Sequence, residues 1–272
     1  MRIIDPHVHV WTRDPAFPVA PGASLPEEDR TPEMLLELMQ AHGVEKTVLV
    51  QQMRYGWDNR YTAHALRQYP DKFMGVCRVN PEDPASPDEL TRLVQEDGFH
   101  GVRLIPAADA TGDWFNGPLV EPLFARAEQL GVPMLIYTRP ARLVRLAEIM
   151  DRHPDLDVCI DHMADCSPED EEGVRKLLAL ARYPRTYVKI SHTWSISKQD
   201  YPWRDTWPLV RRVYQTFGPR RIMWDTDWPV SLRRTTYGRT LSVVRDEMDF
   251  FSAEDLEWVL GKTALQLWPF AA

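Results

Sequence analysis

His7 and His9 lie one residue apart near the start of the chain, in a segment with the composition of a buried strand. Side chains alternate between the two faces of a strand, so residues i and i+2 share a face and the two imidazoles point the same way. Two convergent imidazoles can hold a metal ion, bind an anion or move a proton. Ordinary hydrogen-bonded histidines give the same pattern, so this motif alone does not distinguish a functional site from a structural pair.

A polar or charged residue stands at the end of nearly every short apolar run of the sequence. In chain order they include His7, His9, Gln51, Arg78, Arg103, Tyr137, Arg139, Asp161, His162, Lys189, Ser191, Asp225 and Asp227. A single buried polar residue is usually a satisfied core group, but burying many charges is costly unless they are paired or used. Their collection at one end of the apolar runs therefore indicates an active site.

The apolar runs alternate with amphipathic helical patterns along the whole sequence. Strands are predicted at residues 2–5, 46–51, 73–79, 102–105, 134–138, 158–162, 187–191 and 222–226. Helices are predicted at residues 32–41, 60–69, 87–96, 118–130, 143–153, 169–182, 205–217, 239–251 and 253–267. This alternation predicts a single-domain (β/α)8 TIM barrel over residues 1–272, whose site would lie at the C-terminal ends of the strands.

A doubly wound open sheet is the main alternative fold. It would place a glycine-rich phosphate loop after the first strand, and this chain has His-Val-His-Val-Trp at that place. The barrel is therefore favoured.

The composition limits the cellular role of the chain. A net charge of −8 argues against a nucleic-acid surface, and no apolar run approaches the ~20 residues of a membrane span. We expect no secretory signal, because no basic segment followed by an apolar stretch opens the sequence. Three cysteines without metal-ligand spacing fit the reducing cytoplasm. We therefore expect a cytoplasmic protein without nucleic-acid or membrane partners, and self-association into a homo-oligomer stays open.

Five segments resemble the amidohydrolase superfamily, specifically its amidohydrolase-2 branch. They are Ile-Asp-Pro-His-Val-His-Val-Trp (4–11), Gly-Val-Arg-Leu (101–104), Ile-Asp-His (160–162), Tyr-Val-Lys-Ile-Ser (187–191) and Ile-Met-Trp-Asp-Thr-Asp-Trp-Pro (222–229). The last two segments are most similar to sugar-acid, pyrone-dicarboxylate and muconate lactonases. The resemblance implies a hydrolase that opens a cyclic ester of a carboxylated or polyhydroxylated small molecule.

Carried over residue by residue, the resemblance implies that His7, His9, His162 and Asp227 are catalytic. In metal-using relatives these positions hold a divalent ion or its water, with the aspartate as general base. The resemblance therefore implies one metal ion, zinc or manganese, bound by these four residues. A metal-free mechanism is equally coherent, because a strained cyclic ester needs less activation than an amide.

Two departures from the family pattern argue against a two-metal centre. The fifth strand lacks the family's metal-binding histidine, and the fourth has no lysine beside Arg103 to be carboxylated as a bridge. Asp225 stands where relatives have a glycine or another small residue. The roles of Asp225 and of His192, which follows the seventh strand, stay open.

Cationic side chains at the strand ends indicate an anionic substrate, because arginine binds carboxylates in a planar fork. Loop aromatics would roof the pocket and stack on a ring. The residues predicted to bind the substrate are Trp11, Gln51, Arg78, Arg103, Tyr137, Arg139, Lys189 and Trp228.

Two other functions are weighed. Metal-dependent non-oxidative decarboxylation of an aromatic or muconate-like acid occurs in the same branch, but such relatives keep the strand-five histidine. A non-enzymatic binding protein on a decayed barrel would explain the lost ligand, but not the retention of His7, His9, His162 and Asp227. Ring opening without carbon dioxide release would separate the lactonase from the decarboxylase.

Overall fold

The strands form one closed barrel. The computed structural model describes residues 1–106 and 114–270, and within them eight parallel strands follow one another in chain order. They are β1 (Ile4–Val8), β2 (Lys46–Val50), β3 (Phe73–Val76), β4 (Val102–Leu104), β5 (Met134–Ile136), β6 (Val158–Ile160), β7 (Thr186–Lys189) and β8 (Ile222–Met223). Regular strand pairing joins β1, β2 and β3 into one run and β4 through β8 into another, each strand paired with the next.

Backbone hydrogen bonds close the two gaps between these runs. The amide of Cys77 donates to Gly101 at 2.9 Å and that of Arg103 donates to Cys77 at 2.8 Å, which joins β3 to β4. The amide of His9 donates to Trp228 at 2.7 Å, which joins β1 to the segment after β8. The predicted (β/α)8 barrel is confirmed, and the open sheet is excluded.

Helices cover the outside of the barrel. They are α1 (Pro32–His42), α2 (Arg60–Gln68), α3 (Ser86–Gln95), α4 (Val120–Leu130), α5 (Leu143–Met150), α6 (Glu171–Ala179), α7 (Thr193–Ile196), α8 (Trp207–Phe217), α9 (Tyr237–Ser242), α10 (Ala253–Glu257) and α11 (Thr263–Leu267). The helix predicted at 239–251 is shorter, because a π-helical turn at Val243–Glu247 follows α9 and ends it. Across the described residues, no helix is both long and apolar enough to cross a membrane.

Strand residues alternate between two apolar clusters, as the pleat requires. In β5, Met134 and Ile136 pack with the helices, whereas Leu135 packs with a second cluster that contains Ile4 and Met223 from other strands. This second cluster fills the barrel interior. Two residues further along the chain, the same alternation points polar side chains into the barrel, on the C-terminal side of this apolar cluster.

Several predicted strands end earlier than expected. The third stops at Val76 instead of residue 79, and the eighth stops at Met223 instead of residue 226. Beyond these points the chain leaves the regular ladder, and polar side chains take part in hydrogen bonds instead. Thr226, for example, donates through its backbone and its hydroxyl to the buried carboxylate of Asp5 at 3.2 and 2.6 Å.

Candidate active site

A cavity of about 450 Å³ opens at the C-terminal ends of the strands, and we call it the mouth. Its wall contains His9, His162, His192 and Asp227. Four arginines also stand in the wall, namely Arg30, Arg54, Arg103 and Arg233. Among the described residues, Asp227 is the sole carboxylate of this wall, and two of the four arginines pair with carboxylates outside it, Arg30 with Glu28 and Arg103 with Asp161.

His7 and His9 converge with ring centroids 5.0 Å apart, His9 in the wall of the mouth and His7 fully buried next to it. Nδ1 of His9 donates to the Val50 carbonyl at 2.7 Å, and its Nε2 lies 3.4 Å from Oδ1 of Asp227. Nε2 of His7 lies 3.9 Å from the same oxygen and has no hydrogen-bond partner among the described residues. Burial, aided by the nearby Lys189 cation, lowers the pKa of His7 well below its ordinary value. His7 is therefore neutral near pH 7.

Asp227 is held through its second oxygen by His192. Nε2 of His192 donates to Oδ2 of Asp227 at 2.7 Å, and Nδ1 donates to Asp165 at 3.0 Å. Burial opposes the charge on His192, but these two carboxylates outweigh it and raise the pKa of His192 to about 10. Burial also opposes ionised Asp227, yet the bonds from His192 and His9 hold its pKa well below the ordinary value. Asp227 is therefore an ionised base, and its Oδ1 faces the paired histidines.

A chain of two hydrogen bonds, through Ser191 to Asp225, orients His162. The Ser191 hydroxyl donates to Oδ2 of Asp225 at 2.7 Å and lies 2.7 Å from Nδ1 of His162. Because this hydroxyl has only one proton, Nδ1 of His162 donates to it and leaves the Nε2 lone pair free. Burial, with the cationic His192 stacked at 3.6 Å between ring centroids, lowers the pKa of His162 well below its ordinary value.

A buried ion network lies beneath the histidines. Asp161 accepts a hydrogen bond from Nε of Arg103 at 2.8 Å and lies 3.0 Å from Nζ of Lys189. Lys189 also donates to Nδ1 of His7 at 2.8 Å. Burial would raise the pKa of Asp161, but Lys189 and Arg103 outweigh it and hold the pKa well below the ordinary value. The network fixes Arg103 in the wall of the mouth.

Backbone strain is concentrated at this site. His162, His192 and Asp227 have φ values of 52°, 62° and 48°, in the left-handed region that non-glycine residues rarely adopt. Each such residue costs on the order of 1 kcal/mol and persists only where its surroundings impose it. Three strained residues around one cavity point to function at this place.

The structure divides the predicted substrate-binding residues. Trp11, Arg103 and Tyr137 line the mouth. The prediction for Gln51 needs correction: its side chain faces α2, where it donates to the Asp58 carbonyl at 2.7 Å and accepts from the Thr62 hydroxyl at 2.5 Å. Alternation along the chain places Gln52, the next residue, in the wall instead.

The other predicted contacts lie outside the wall of the mouth. Trp228 is buried and lines a different cavity, next to α1. Lys189 is fully buried in the ion network and does not line the cavity. Arg139 is half exposed and lies 2.9 Å from Asp165, whose charge it partly neutralises. Arg78 lines a second cavity that adjoins the mouth.

The donor atoms of the site fit a divalent cation. Within the described ranges, three groups have ligand atoms within 4.8 Å of one another: His7, His9 and Asp227; His7, His162 and Asp225; and His162, His192 and Asp227. The first fits best, because the Nε2 atom of His7 has no hydrogen-bond partner in the described part of the chain and that of His9 lies 3.4 Å from Asp227. The four predicted ligands are thus divided between groups, and His162 belongs to the other two.

The sequence left the role of His192 open. Lys189 and Ser191 point into the barrel, so simple alternation would turn His192 away from it. The left-handed backbone at His192 turns its ring back over the mouth, onto Asp227. No pattern of residue types signals this reversal.

His192 should make stability depend on alkaline pH. Its pKa is raised from 6.5 to about 10 in the folded protein, so its contribution is complete below about pH 6.5 and is lost as pH rises towards 10. We expect the difference in unfolding free energy between the natural protein and His192→Gln to shrink across that interval. Urea denaturation at several pH values, in buffer with a chelator, measures it. A difference that does not vary with pH would show that His192 is not charged.

The barrel and its site together define a class. A histidine pair stands at the end of the first strand, a histidine follows the sixth strand, and an aspartate follows the eighth. Residues 4–270 match the family model described as Amidohydrolase, of the amidohydrolase-2 type. The chain belongs to this amidohydrolase family, and it is an enzyme.

Named relatives resemble the chain over most of its length. It is 29% identical to L-fucono-1,5-lactonase of Burkholderia ambifaria, over 84% of this chain and 80% of the relative. It is 28% identical to 2-pyrone-4,6-dicarboxylate hydrolase of Comamonas testosteroni, over 83% of this chain and 76% of the relative. A putative 2-pyrone-4,6-dicarboxylic acid hydrolase from Pseudomonas putida has the same fold, with a TM-score of 0.84 and 25% identity over 100% of this chain and 98% of that one.

Proposed function

We propose that the protein hydrolyses a lactone of a carboxylated small molecule. The observation that carries the proposal is Asp227, an ionised carboxylate held by His192 and facing His7 and His9 beside an arginine-rich mouth. The relatives named above, which act on a sugar-acid lactone and on a pyrone dicarboxylate, support the same reaction class. The surplus of arginines in the mouth favours an acidic substrate over a neutral sugar lactone.

The reaction begins with a water beside Oδ1 of Asp227. Asp227 removes a proton as the water oxygen bonds to the lactone carbonyl carbon, and the carbonyl π electrons move onto its oxygen. Arg103, in the wall of the mouth, would stabilise that oxyanion. The buried His7, whose Nδ1 accepts from Lys189, has its Nε2 3.9 Å from Oδ1 of the base. The carbonyl then re-forms, the ring C–O bond breaks, and Asp227 returns its proton to the departing alkoxide. The product is a hydroxy acid or its tautomer.

His7, His9 and Asp227 would hold a divalent metal ion, zinc or manganese. When bound, such an ion acts as a Lewis acid on the carbonyl and lowers the pKa of a bound water. Binding through Nε2 of His7 requires the proton on Nδ1, next to Asp161 at 3.4 Å. The Lys189 ammonium beside Nδ1 opposes that tautomer, and the cationic His192 draws charge from Asp227. We therefore propose weak binding and retain the metal-free mechanism.

Two broader expectations stand as proposals. The three cysteines are buried and free, which supports the reducing cytoplasm as the compartment. Assembly into a homo-oligomer stays a prediction, to be checked by light scattering.

A lactone panel tests the proposed function. The purified protein is offered muconolactone, 2-pyrone-4,6-dicarboxylate and L-fucono-1,5-lactone, with a pH indicator reporting acid release, before and after chelation. We expect the acidic lactones to open faster than the sugar lactone, with no carbon dioxide formed and with at least part of the rate surviving the chelator. Carbon dioxide release from an aryl or muconic acid, without any lactone opening, would replace the proposal with a decarboxylase.

A further inference from the structure

A second cavity of about 240 Å³ adjoins the mouth, and we call it the side cavity. It shares Met53, Arg103 and Ile105 with the mouth, so the two spaces are neighbours along one wall. Trp57 and Trp114 line it as well, and so does Arg78. The catalytic steps proposed above use none of the residues that belong to the side cavity alone.

The backbone of Arg78 is fixed from two sides. The side-chain oxygen of Asn59 accepts from the Arg78 amide at 2.9 Å, and the Asn59 side-chain nitrogen donates to the Arg78 carbonyl at 2.9 Å. Val76 packs in the barrel interior, and alternation along the chain turns Arg78 to the same side. The guanidinium therefore lies at the side cavity because the fold directs it there.

The Arg78 guanidinium is buried but hardly satisfied. Its Nε has no hydrogen-bond partner among the described residues, and its one side-chain bond there is a long 3.5 Å contact to the Gly56 carbonyl. Glu82 also lines the cavity, but it is exposed and makes no ion pair with Arg78. Burial, with the nearby Arg103 adding to it, lowers the pKa of Arg78 to about 9. A buried cation without a counterion is unfavourable unless an anion arrives to pair with it.

A purely structural role accounts for only part of this arrangement. The guanidinium stacks over the Trp57 ring at 4.7 Å, and cation–π contacts at exposed rings are modest. Stacking satisfies none of the five N–H donors, which lie in the plane of the guanidinium, and among the described residues only the long contact to Gly56 engages one of them. A planar carboxylate accepts two of these bonds at once.

We propose that Arg78, stacked on Trp57, is an anion subsite that binds a carboxylate on an arm of the substrate remote from the ester. Arg103 stands in both cavities, so one molecule can place its lactone in the mouth and its acidic arm in the side cavity. The inference rests on the proposed function, and it specifies the substrate class as a lactone with a carboxylated side arm.

Two substitutions at Arg78 test the subsite. Arg78→Met keeps an unbranched stem without the charge, and Arg78→Lys keeps the charge without the fork. The paired probes are muconolactone and its primary amide, which differ only in the charge of the arm. We expect Arg78→Met to raise KM for the acid about 10- to 100-fold, because that is the effect of losing one charge-assisted hydrogen bond. KM for the amide should stay unchanged. Arg78→Lys should restore part of the preference for the acid.

Arg60→Met is the matched control. Arg60 is an exposed arginine at the start of α2 that pairs with Asp58, and it touches neither cavity. It should leave the KM values of both probes unchanged. Arg78→Met should also unfold at the same or a higher temperature than the natural protein, because it removes a buried charge with which no described carboxylate pairs. A lower melting temperature together with equal losses on both probes would assign Arg78 a structural role and overturn the subsite.

Calorimetric titration with glutarate separates this inference from the proposed function. If no lactone is opened, but glutarate binds the natural protein and Arg60→Met and not Arg78→Met, the subsite stands and the lactonase proposal fails. If lactones are opened and Arg78→Met treats the acid and the amide as the natural protein does, the subsite fails and the lactonase proposal stands.

Discussion

Asp227→Asn is expected to lower kcat for lactone opening by about 10²- to 10⁴-fold, the contribution typical of a general base. Asparagine has nearly the same shape and can still accept from His192, so the mouth keeps its geometry. Its side chain cannot take the proton of the attacking water. KM should change little, because Arg103 and the other arginines of the mouth are untouched.

Stopped-flow or pH-indicator assays on the most active lactone of the panel measure this loss. Asp157→Asn is the control, because Asp157 pairs with Arg185 just before β6, at the opposite end of the barrel from the mouth. It should leave kcat unchanged. If Asp227→Asn kept its natural turnover, Asp227 would not be the base, whichever reaction the enzyme performs.

The sequence predicts the fold and the floor of the site because both follow from alternation. Apolar and polar side chains exchange faces with a period of two, so runs that end in His7, Arg103 and Asp227 predict one ring of side chains. The same rule, applied with the correct phase, would have selected Gln52 instead of Gln51 and would have turned Trp228 away from the cavity. Those two errors are errors of phase within a correctly predicted barrel.

The rest of the site depends on backbone conformations that residue types do not announce. His192 reaches Asp227 only because its φ is 62°, and His162 opens a run of left-handed residues that continues to Asp165. Such conformations are imposed by hydrogen bonds between elements distant in the chain, such as the 2.7 Å bond between His192 and Asp227. A single sequence read locally does not contain them.

The departures from the family pattern acquire a physical meaning in the structure. Asp225 accepts a hydrogen bond from the Ser191 hydroxyl, which lies 2.7 Å from Nδ1 of His162 and so positions this ring. Its other oxygen is buried without a hydrogen-bond partner among the described residues. Burial raises the pKa of Asp225 well above the ordinary value. The extra carboxylate thus acts by orienting a histidine of the mouth.

Asp161→Asn is expected to lower the free energy of unfolding by about 3–5 kcal/mol, the usual effect of breaking a buried ion pair from one side. Asp161 has no exposed surface and carries the negative charge that compensates Lys189 and Arg103. An amide of the same size leaves two buried cations without their counterion. The loss exceeds that of an ordinary hydrogen bond because charges, not dipoles, are left uncompensated.

Urea denaturation of Asp161→Asn measures this loss, with Glu45→Gln as the control. Glu45 pairs with Arg2 at 2.6 Å on the surface, where the two side chains are 40% and 50% exposed, and its substitution should change stability by less than about 1 kcal/mol. Asp161→Asn should also reduce lactone turnover, since Arg103 and Lys189 would no longer be held against the mouth and His7. Equal, small effects of the two substitutions would mean that water already screens the network, and that Asp161 does not position the catalytic histidine.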